Sequence, residues 1–241
     1  MKTFLSIAKT PGATGSYYYN SFFQALNLDY KYEALQVDTL GGILNTLKAP
    51  QVMGVSVTMP FKRQVVTFLD ESDASVIDTG SCNTVKVLNG KWVGYNTDLA
   101  GVRWVIANLP PNGRVQILGD GAMSLMFQKV LSRKRREFNV YSRTLGNWED
   151  RHTGYEIVIN ATALGTVSSE SPIELSDSVA YVVDLALNTG ELYSQCLGKG
   201  VNYVSGLEFY KNVFLAQFFV YLDQPADPSL FDAFTAARGK S

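Results

Sequence analysis

Three short blocks in the first hundred residues carry the side chains best suited to acid–base chemistry. Their polar members are Thr58 and Lys62 in residues 56–62, Asn83 in residues 80–85, and Asp98 in residues 94–98. A lysine ammonium can stabilise negative charge on a carbonyl oxygen and donate a proton to it, and a nearby carboxylate can position that ammonium. The blocks therefore predict a site that holds a polyhydroxylated ring and moves a proton at a carbonyl oxygen.

Each of these residues also has a simpler structural explanation. Lys62 can be a solvated lysine, Asn83 can belong to a turn, and Asp98 can cap the helix that follows it. Capping and catalysis are compatible, so the residues alone leave both explanations open.

A glycine-rich turn in the middle of the chain, residues 119–124, is a second candidate site. Gly119 permits a tight turn after a strand, and Gly121 lets the backbone approach a pyrophosphate on the N-terminus of the next helix. We predict that Gly119, Gly121 and Ala122 contact a dinucleotide. Asp120 is the discordant residue, because a carboxylate beside pyrophosphate weakens binding unless it faces solvent. An ordinary strand-to-helix turn is the alternative explanation.

The end of the following strand indicates which dinucleotide binds. A protein that uses NAD places Asp or Glu about 20 residues after the glycine turn, where the carboxylate holds the ribose 2′-hydroxyl. Here that position has Ser142, Arg143 and Thr144, which suit a ribose 2′-phosphate. We therefore predict NADP as the cofactor. A surface arginine at a strand end is the alternative.

Composition limits the class of protein. The 241 residues are 46% apolar and 18% charged, with a formal net charge of −1, which predicts a soluble globular chain that binds neither nucleic acid nor an anionic membrane. No apolar run approaches the ~18 residues of a membrane span. The two cysteines form no CxxC pair, which fits a cytoplasmic location. A single histidine, His152, excludes multi-histidine metal sites, and the basic run at 133–136 is expected to be the solvated end of a helix.

Apolar periodicity predicts the elements that position these side chains. The first half alternates strands and helices and contains a hairpin signal at Asn89 and Gly90. After Pro111, apolar strand-length runs alternate with helical segments, which predicts a parallel sheet with right-handed crossovers. The predicted strands are residues 3–7, 30–36, 52–58, 84–88, 91–95, 114–118, 138–142, 157–161 and 181–186. The predicted helices cover residues 17–26, 40–48 (capped by Asp38), 98–109, 206–222 and 228–238, with others beginning at 64 and ending at 131.

The order and spacing of several motifs resemble the shikimate dehydrogenase family over most of the chain. Residues 56–62, 80–85 and 94–98 resemble its N-V-T-x-P-x-K, G-A-x-N-T-V and G-x-N-T-D blocks. Residues 142–144 resemble N-R-T, the NADP phosphate loop, and residues 159–165 resemble the cofactor-domain I-N-A-T-x-x-G. Residues 183–185 and 206–207 are similar to the late D-L and G-L markers.

The resemblance implies an α/β fold with two domains. An N-terminal α/β substrate domain is expected over residues 1–99, completed by helices returning from residues 207–241. A Rossmann-type parallel-sheet NADP-binding domain is expected over residues 100–206.

The resemblance also implies roles for individual residues. Lys62 and Asp98 become the catalytic pair, and Thr58 and Asn83 are expected to bind substrate hydroxyls. The expected cofactor contacts are Gly119, Gly121, Ala122, Ser142, Arg143, Thr144, Thr162 and Gly206.

The chain departs from the family pattern where the substrate carboxylate binds. A Ser-x-Ser turn is usual near the N-terminus, but here its serines are replaced by Ala13 and Gly15, so Thr14 and Ser16 are the candidate substitutes. A glutamine of the family's ring-binding set falls on Val213 here, and Gln217, one helical turn further on, is the candidate substitute for binding substrate. In the cofactor half, the basic residue three positions after N-R-T is Asn147, and a tyrosine after the D-L marker is Leu187.

Two functions follow from these observations. The first is an NADP-dependent oxidoreductase that interconverts 3-dehydroshikimate and shikimate, or a closely related cyclic hydroxy acid, as a monomer or homodimer with a small-molecule substrate as its partner. The second is a non-catalytic or altered-substrate paralogue that binds a metabolite or nucleotide. Retention of Lys62 and Asp98 favours the first, whereas loss of the two serines and the presence of Asp120 favour the second. An unrelated Rossmann binding module is a remote third.

Overall fold

The computed structural model describes residues 1–152, 154–165, 170–187 and 190–239. The chain divides into two compact units, Met1–Thr97 with Phe214–Ser241, and Asp98–Val213. The sequence placed these boundaries after residues 99 and 206. The second boundary differs because one continuous helix, α7 (Gly206–Leu222), begins in the second unit and ends in the first.

Among its described residues, the first unit contains a six-stranded mixed sheet. In spatial order its strands are β2 (Tyr30–Gln36), β1 (Lys2–Ala8), β3 (Val52–Val57), β5 (Thr84–Leu88), β6 (Lys91–Tyr95) and β4 (Glu71–Ser72). β1 runs parallel to both neighbours, whereas β5 and β6 form an antiparallel hairpin. Asn89 and Gly90 have φ values of 51° and 78°, as a tight hairpin turn requires. The predicted hairpin is confirmed.

Helices cover this sheet and bury aromatic side chains against one another. They are α1 (Thr14–Ala25), α2 (Leu40–Leu47), α3 (Ala74–Thr79), α8 (Pro228–Arg238) and the C-terminal part of α7, with a 3₁₀ turn at Gln64–Phe68. The rings of Tyr18 and Phe231 stack with centroids 4.1 Å apart and an interplanar angle of 3°. Such pairs hold the C-terminal helices to the N-terminal ones through large apolar burial.

The described part of the second unit contains a five-stranded sheet in which every pair is parallel. Its spatial order is β11 (Asn202–Val204), β10 (Tyr181–Asp184), β9 (Ile157–Asn160), β7 (Val115–Leu118) and β8 (Phe138–Tyr141). Its helices are α4 (Asp98–Asn108), α5 (Ala122–Arg133), α6 (Glu191–Lys199) and the start of α7, with a 3₁₀ turn at Trp148–His152. The predicted α/β fold with a parallel sheet in the second half is confirmed.

Several elements differ from the sequence prediction. α1 begins at Thr14 instead of Tyr17, so Thr14 and Ser16 lie in its first turn. Thr39, not Asp38, is the N-cap of α2. The sequence missed α3, α6, β4 and β11. α6 buries only Leu192 and Cys196 among its residues, which is too narrow an apolar stripe to stand out in a polar sequence.

The basic run at 133–136 is only partly a solvated helix end. α5 ends at Arg133, but the Arg136 guanidinium donates to the backbone carbonyls of Pro110, Pro111, Asn112 and Gly113 at 2.7–3.1 Å. Arg136 thus ties down the loop between α4 and β7. Within the described ranges, the chain has no helix of the length and apolarity that crossing a membrane requires.

Candidate functional site

The glycine turn lies where β7 leads into α5. Gly119 has a φ of +100°, and a Cβ built on it would lie 3.0 Å from the carbonyl oxygen of Ala161. Gly121 is the N-cap of α5, and no heavy atom of the described residues lies within 4 Å of a Cβ built there. The first glycine is therefore required by backbone conformation and packing, while the second borders open space at a helix N-terminus, a position that favours anions.

A cavity of 480 Å³ opens beside this turn, a volume typical of ligand sites. The ends of three neighbouring strands supply its walls: Gly119, Asp120 and Gly121 after β7; Ser142, Arg143, Thr144 and Trp148 after β8; and Ala161, Thr162, Ala163 and Leu164 after β9. Ligands of open parallel sheets bind at this carboxyl edge. Ala122 follows the turn as the first residue of α5, and Ser124 is fully buried beneath it.

The loop after β8 is closed by the side chain of Asn147, the position where the resemblance led us to expect a basic residue. Asn147 accepts a hydrogen bond from the Ser142 amide at 3.0 Å and donates to the carbonyl of Val140 at 2.9 Å. The Ser142 hydroxyl accepts from the Leu145 amide at 3.1 Å. Ser142 and Asn147 therefore shape the loop, and Arg143 and Thr144 are left as its exposed cavity-lining polar residues.

Asn160, at the end of β9, organises the third wall. Its Oδ1 accepts from the amide and the hydroxyl of Thr162, at 3.1 and 2.7 Å, and its Nδ2 donates to Asp184 Oδ1 at 2.8 Å. Thr162 thus lines the cavity while its hydroxyl holds the loop together. Gly206 is not among the described residues that line the cavity. A Cβ there would lie 2.2 Å from the carbonyl oxygen of Ala186, so packing alone demands glycine.

In the first unit, Thr58 and Lys62 follow β3 in a tight loop. The Thr58 hydroxyl donates to the carbonyl of Ile7 at 3.3 Å, and the Lys62 carbonyl accepts from the Cys82 amide at 2.8 Å. The side chain of Lys62 is half-buried. The backbone bond joins the Lys62 loop to the segment that carries Asn83, so the structure brings these two predicted residues into one local framework.

Asn83 is held in a single orientation. It is 5% exposed, and its Oδ1 accepts from the Thr97 amide at 2.8 Å and from the hydroxyls of Thr84 and Thr97 at 2.7 and 3.1 Å. Because a backbone amide can only donate, the atom facing it is the amide oxygen. Nδ2 is thereby the donor that Asn83 would present to a substrate hydroxyl. Asp98, also buried, is the first residue of α4 and opens the second unit, and its pairing with Lys62 remains a prediction.

A buried polar network lies behind Asn83. Gln217, 8% exposed, accepts at Oε1 from Tyr19 and Ser56, at 2.8 and 3.1 Å. Its Nε2 donates to the Thr84 hydroxyl at 2.6 Å and to the Asn83 carbonyl at 3.3 Å. Through these bonds Gln217 supports Asn83, and its predicted contact with substrate stays a prediction.

Tyr32 extends the same network. Its hydroxyl donates to Ser56 Oγ at 2.6 Å, and burial raises the pKa of Tyr32 to about 12. The phenol therefore stays protonated at neutral pH and keeps donating. Within the residues that the structure describes, no cluster of three or more His, Cys, Asp or Glu side chains could hold a metal ion.

Comparison with known proteins shows which proteins this chain resembles. The family model described as "Shikimate dehydrogenase substrate binding domain" matches residues 13–85. An NADP(+) shikimate dehydrogenase of Staphylococcus haemolyticus is 31% identical over 176 residues, which are 70% of this chain and 63% of that protein. The chain is therefore similar to the shikimate dehydrogenase family, at its substrate-binding domain and over most of its length.

Solved structures share the fold. A shikimate 5-dehydrogenase-like protein superposes with a TM-score of 0.84 at 21% identity, covering 98% of this chain and 96% of the other. The shikimate 5-dehydrogenase of Thermus thermophilus, solved in complex with NADP(H) and shikimate, gives a TM-score of 0.83 at 22% identity, covering 98% and 99%. The sequence match is shorter, since the chain spans 63%, 36% and 51% of three curated relatives of the family.

The departure from the family at the N-terminal turn has a structural setting. Ala13 is the exposed N-cap of α1. Gly15 lies in the first turn, and a Cβ there would be 3.3 Å from Cε1 and the hydroxyl oxygen of Tyr32. Tyr32 therefore fills the space beside the position where the family has its second serine. Thr14 and Ser16 are half-buried in the same turn, and their predicted contact with substrate stays a prediction.

Replacing Gln217 with methionine is expected to lower the free energy of unfolding by about 1–3 kcal/mol. The variant removes the acceptor of Tyr19 and Ser56 and the donor to Thr84, all at buried positions. Urea titration of the wild type and variant measures the difference. Gln24→Met, at an exposed position of α1, is the matched control and should change stability by about 0.5 kcal/mol or less. An equal decrease in the free energy of unfolding in both variants would show that the hydrogen bonds of Gln217 do not stabilise the fold.

Sequence reasoning missed Trp148 and Tyr32, and it named Asn147 only as a departure from the family pattern. Trp148 lines the cavity and is the first residue of the short 3₁₀ turn Trp148–His152. The short spacing between β8 and β9 was the available signal. For Tyr32 no local signal exists, because its partner Ser56 is distant in sequence.

Proposed function

We propose that this chain is an NADP-dependent oxidoreductase that reduces 3-dehydroshikimate to shikimate, or reduces a related cyclic ketone to a closely related cyclic hydroxy acid. The observation that carries the proposal is the cavity at the carboxyl edge of the parallel sheet, where the Gly119 turn, the N-terminus of α5 and Arg143 meet. Those groups fit a dinucleotide with a 2′-phosphate: the helix N-terminus suits pyrophosphate, and a guanidinium suits the extra phosphate. The similarity to NADP(+) shikimate dehydrogenases supports the same reaction.

NADP, when bound in its reduced form, supplies the hydride that attacks the ketone carbon. The chain's own residues then handle the charge that results. Lys62 is proposed to stabilise the developing oxyanion and to donate its proton to that oxygen, which converts the ketone into a hydroxyl. Asp98 is proposed to position the ammonium. Asn83, whose oxygen is held by Thr84 and Thr97, is proposed to donate from Nδ2 to a ring hydroxyl, with Thr58 as a second contact.

Incubating the purified protein with shikimate and NADP⁺, and then with NAD⁺, tests this function. Reduced nicotinamide should accumulate with NADP⁺, as followed by its absorbance. Absence of turnover with both cofactors, in protein that is folded, would remove shikimate oxidation from the proposal.

An altered-substrate or non-catalytic paralogue is the second candidate. Two observations favour it: Ala13 and Gly15 replace the serines of the carboxylate clamp, and Asp120 places a carboxylate in the wall of the cavity. A neutral cyclic ketone needs no such clamp. Turnover of a carboxylate-free substrate with NADPH, without turnover of 3-dehydroshikimate, would favour this candidate.

Arg143→Ala is expected to narrow the preference for NADP over NAD. A charge-assisted contact to the 2′-phosphate contributes roughly 1.5–3 kcal/mol, or about 10- to 100-fold in affinity. The ratio of the dissociation constants of NADPH and NADH, measured by calorimetry, reports the change. If the wild type binds NADH as tightly as NADPH, the loop after β8 does not select the phosphate.

A further inference from the structure

One aromatic ring forms part of the wall of the cavity beside the glycine turn. Trp148 lines the cavity directly after the loop that carries Arg143. Its ring is braced by Arg151, whose guanidinium carbon lies 4.3 Å from the ring centroid. Arg151 itself is fixed, because Nε donates to the Pro172 carbonyl at 2.8 Å and Nη1 to the Trp148 carbonyl at 2.7 Å. Trp148 is therefore a supported ring and not a mobile surface side chain.

The two arginines beside the ring differ in their relation to the cavity. Arg151 is 14% exposed at its side chain and is not among the described residues that line the cavity. Arg143 does line it, is exposed, and has its guanidinium carbon 5.8 Å from the ring centroid. An exposed cation–π contact of this length is weak, so little is lost if Arg143 contacts a phosphate instead of the ring.

The loop has also lost a phosphate contact that the indole can offset. The position three residues after N-R-T is Asn147 here, and its amide is used to close the loop on Ser142 and Val140. Asn147 therefore has no charge to offer a 2′-phosphate. The next residue is Trp148, whose large apolar ring lines the cavity and can contact the part of a ligand beside that phosphate.

We propose that the indole of Trp148 is the stacking platform for the adenine ring of the bound nucleotide, an inference that rests on the proposed NADP-dependent function. Every base has a π-face, so stacking on an aromatic side chain tolerates any base geometry, and its loss weakens binding by about 5- to 100-fold. Adenine is common to NADP and NAD. Trp148 therefore contributes equally to both cofactors, whereas Arg143 acts only on those with a 2′-phosphate.

Binding measurements separate these two residues. The ligands are NADP⁺, NAD⁺ and adenosine 2′,5′-bisphosphate, which keeps adenine and the phosphate but has no nicotinamide. Trp148→Ala should raise all three dissociation constants by the same factor, about 5- to 100-fold, and Trp148→Phe should change them only a few-fold. Arg143→Ala should weaken NADP⁺ and the bisphosphate but leave NAD⁺ unchanged.

Fluorescence gives a second readout that does not depend on the stability of the alanine variant. Titrating adenosine 2′,5′-bisphosphate should cause a saturable change in tryptophan emission in the wild type. The same change should persist in Trp104→Phe, a matched control in α4 that packs against the core of the same unit. In Trp148→Phe the emission change should disappear while calorimetry still detects binding.

The outcomes distinguish the two proposals. If Trp148→Ala binds all three ligands like the wild type, or if Trp148→Phe retains the emission change, Trp148 does not stack on adenine. The proposed NADP-dependent function is then unaffected. If the folded wild type binds none of the three ligands, both the proposed function and the stacking role of Trp148 are wrong.

Discussion

Replacing Lys62 with alanine is expected to lower kcat by about 10²–10⁴-fold while changing substrate affinity far less. The physical reason is that the ammonium interacts most strongly once charge has developed on the carbonyl oxygen, which happens only in the transition state. Steady-state kinetics of 3-dehydroshikimate reduction with NADPH, together with calorimetric binding of shikimate, measure the two effects separately. Lys62→Met repeats the test with less change in side-chain volume.

A matched control exists in the same unit. Lys91 is an exposed lysine on β6, paired with Glu71 at 2.8 Å, and Lys91→Met should leave kcat unchanged because a surface ion pair contributes little. A Lys62→Ala variant with wild-type kcat would remove Lys62 from the mechanism. A variant with unchanged kcat but a raised KM would instead assign Lys62 to substrate binding in the ground state.

The unaltered protein is expected to have a high KM for shikimate, which the double substitution Ala13→Ser with Gly15→Ser lowers. Neither Ala13 nor Gly15 can donate a side-chain hydrogen bond, and each missing charge-assisted bond to a carboxylate costs ~1.5–3 kcal/mol. Two such bonds correspond to roughly 10²–10⁴-fold in KM unless Thr14, Ser16 or water compensates. Initial-rate measurements on the wild type, both single variants and the double variant give the comparison.

The surroundings of Gly15 and Ala13 predict which of the two substitutions has the larger effect. Gly15 lies outside the left-handed region of φ, so packing and not backbone strain limits its replacement. A new Cβ would press on Tyr32 at 3.3 Å, whose hydroxyl donates to Ser56. We therefore expect Ala13→Ser, at an exposed position just before α1, to help more than Gly15→Ser alone.

Gly15→Ala is the matched control for the second position, since it adds the same Cβ without the hydroxyl. If Gly15→Ala and Gly15→Ser change the KM equally, the effect is steric. Tight shikimate binding by the unaltered protein would show that another group holds the carboxylate. If neither the wild type nor the double variant binds shikimate while NADPH binds normally, the substrate lacks that carboxylate or the chain is the non-catalytic paralogue.

Features set by neighbouring residues could be predicted from the sequence. The hairpin at Asn89 and Gly90 depends on two residues that accept positive φ, and the glycine turn depends on Gly119, which has a φ of +100°. Helix α7 was predicted from its continuous apolar run and has the predicted bounds. Parallel strands end at a common edge of the sheet. The predicted alternation of strands and helices in the second half therefore places Gly119, Arg143 and Thr162 at that edge, and all three line one cavity.

Other features depend on residues that meet only in the folded chain. Gln217 is 134 positions from Asn83, yet it donates to the Asn83 carbonyl, and no periodicity in α7 distinguishes that glutamine from one that faces a substrate. Gly206 matched a family marker, but its requirement comes from the Ala186 carbonyl oxygen at 2.2 Å from a built Cβ. Trp148 lines the cavity as the first residue of a 3₁₀ turn. The sequence by itself determined most of the strands, turns and helices, since local conformation and apolar burial decide those, but not α3, α6, β4 or β11. Only the tertiary structure decided which polar groups face one another, because a hydrogen bond depends on the position of both partners to within a few tenths of an ångström.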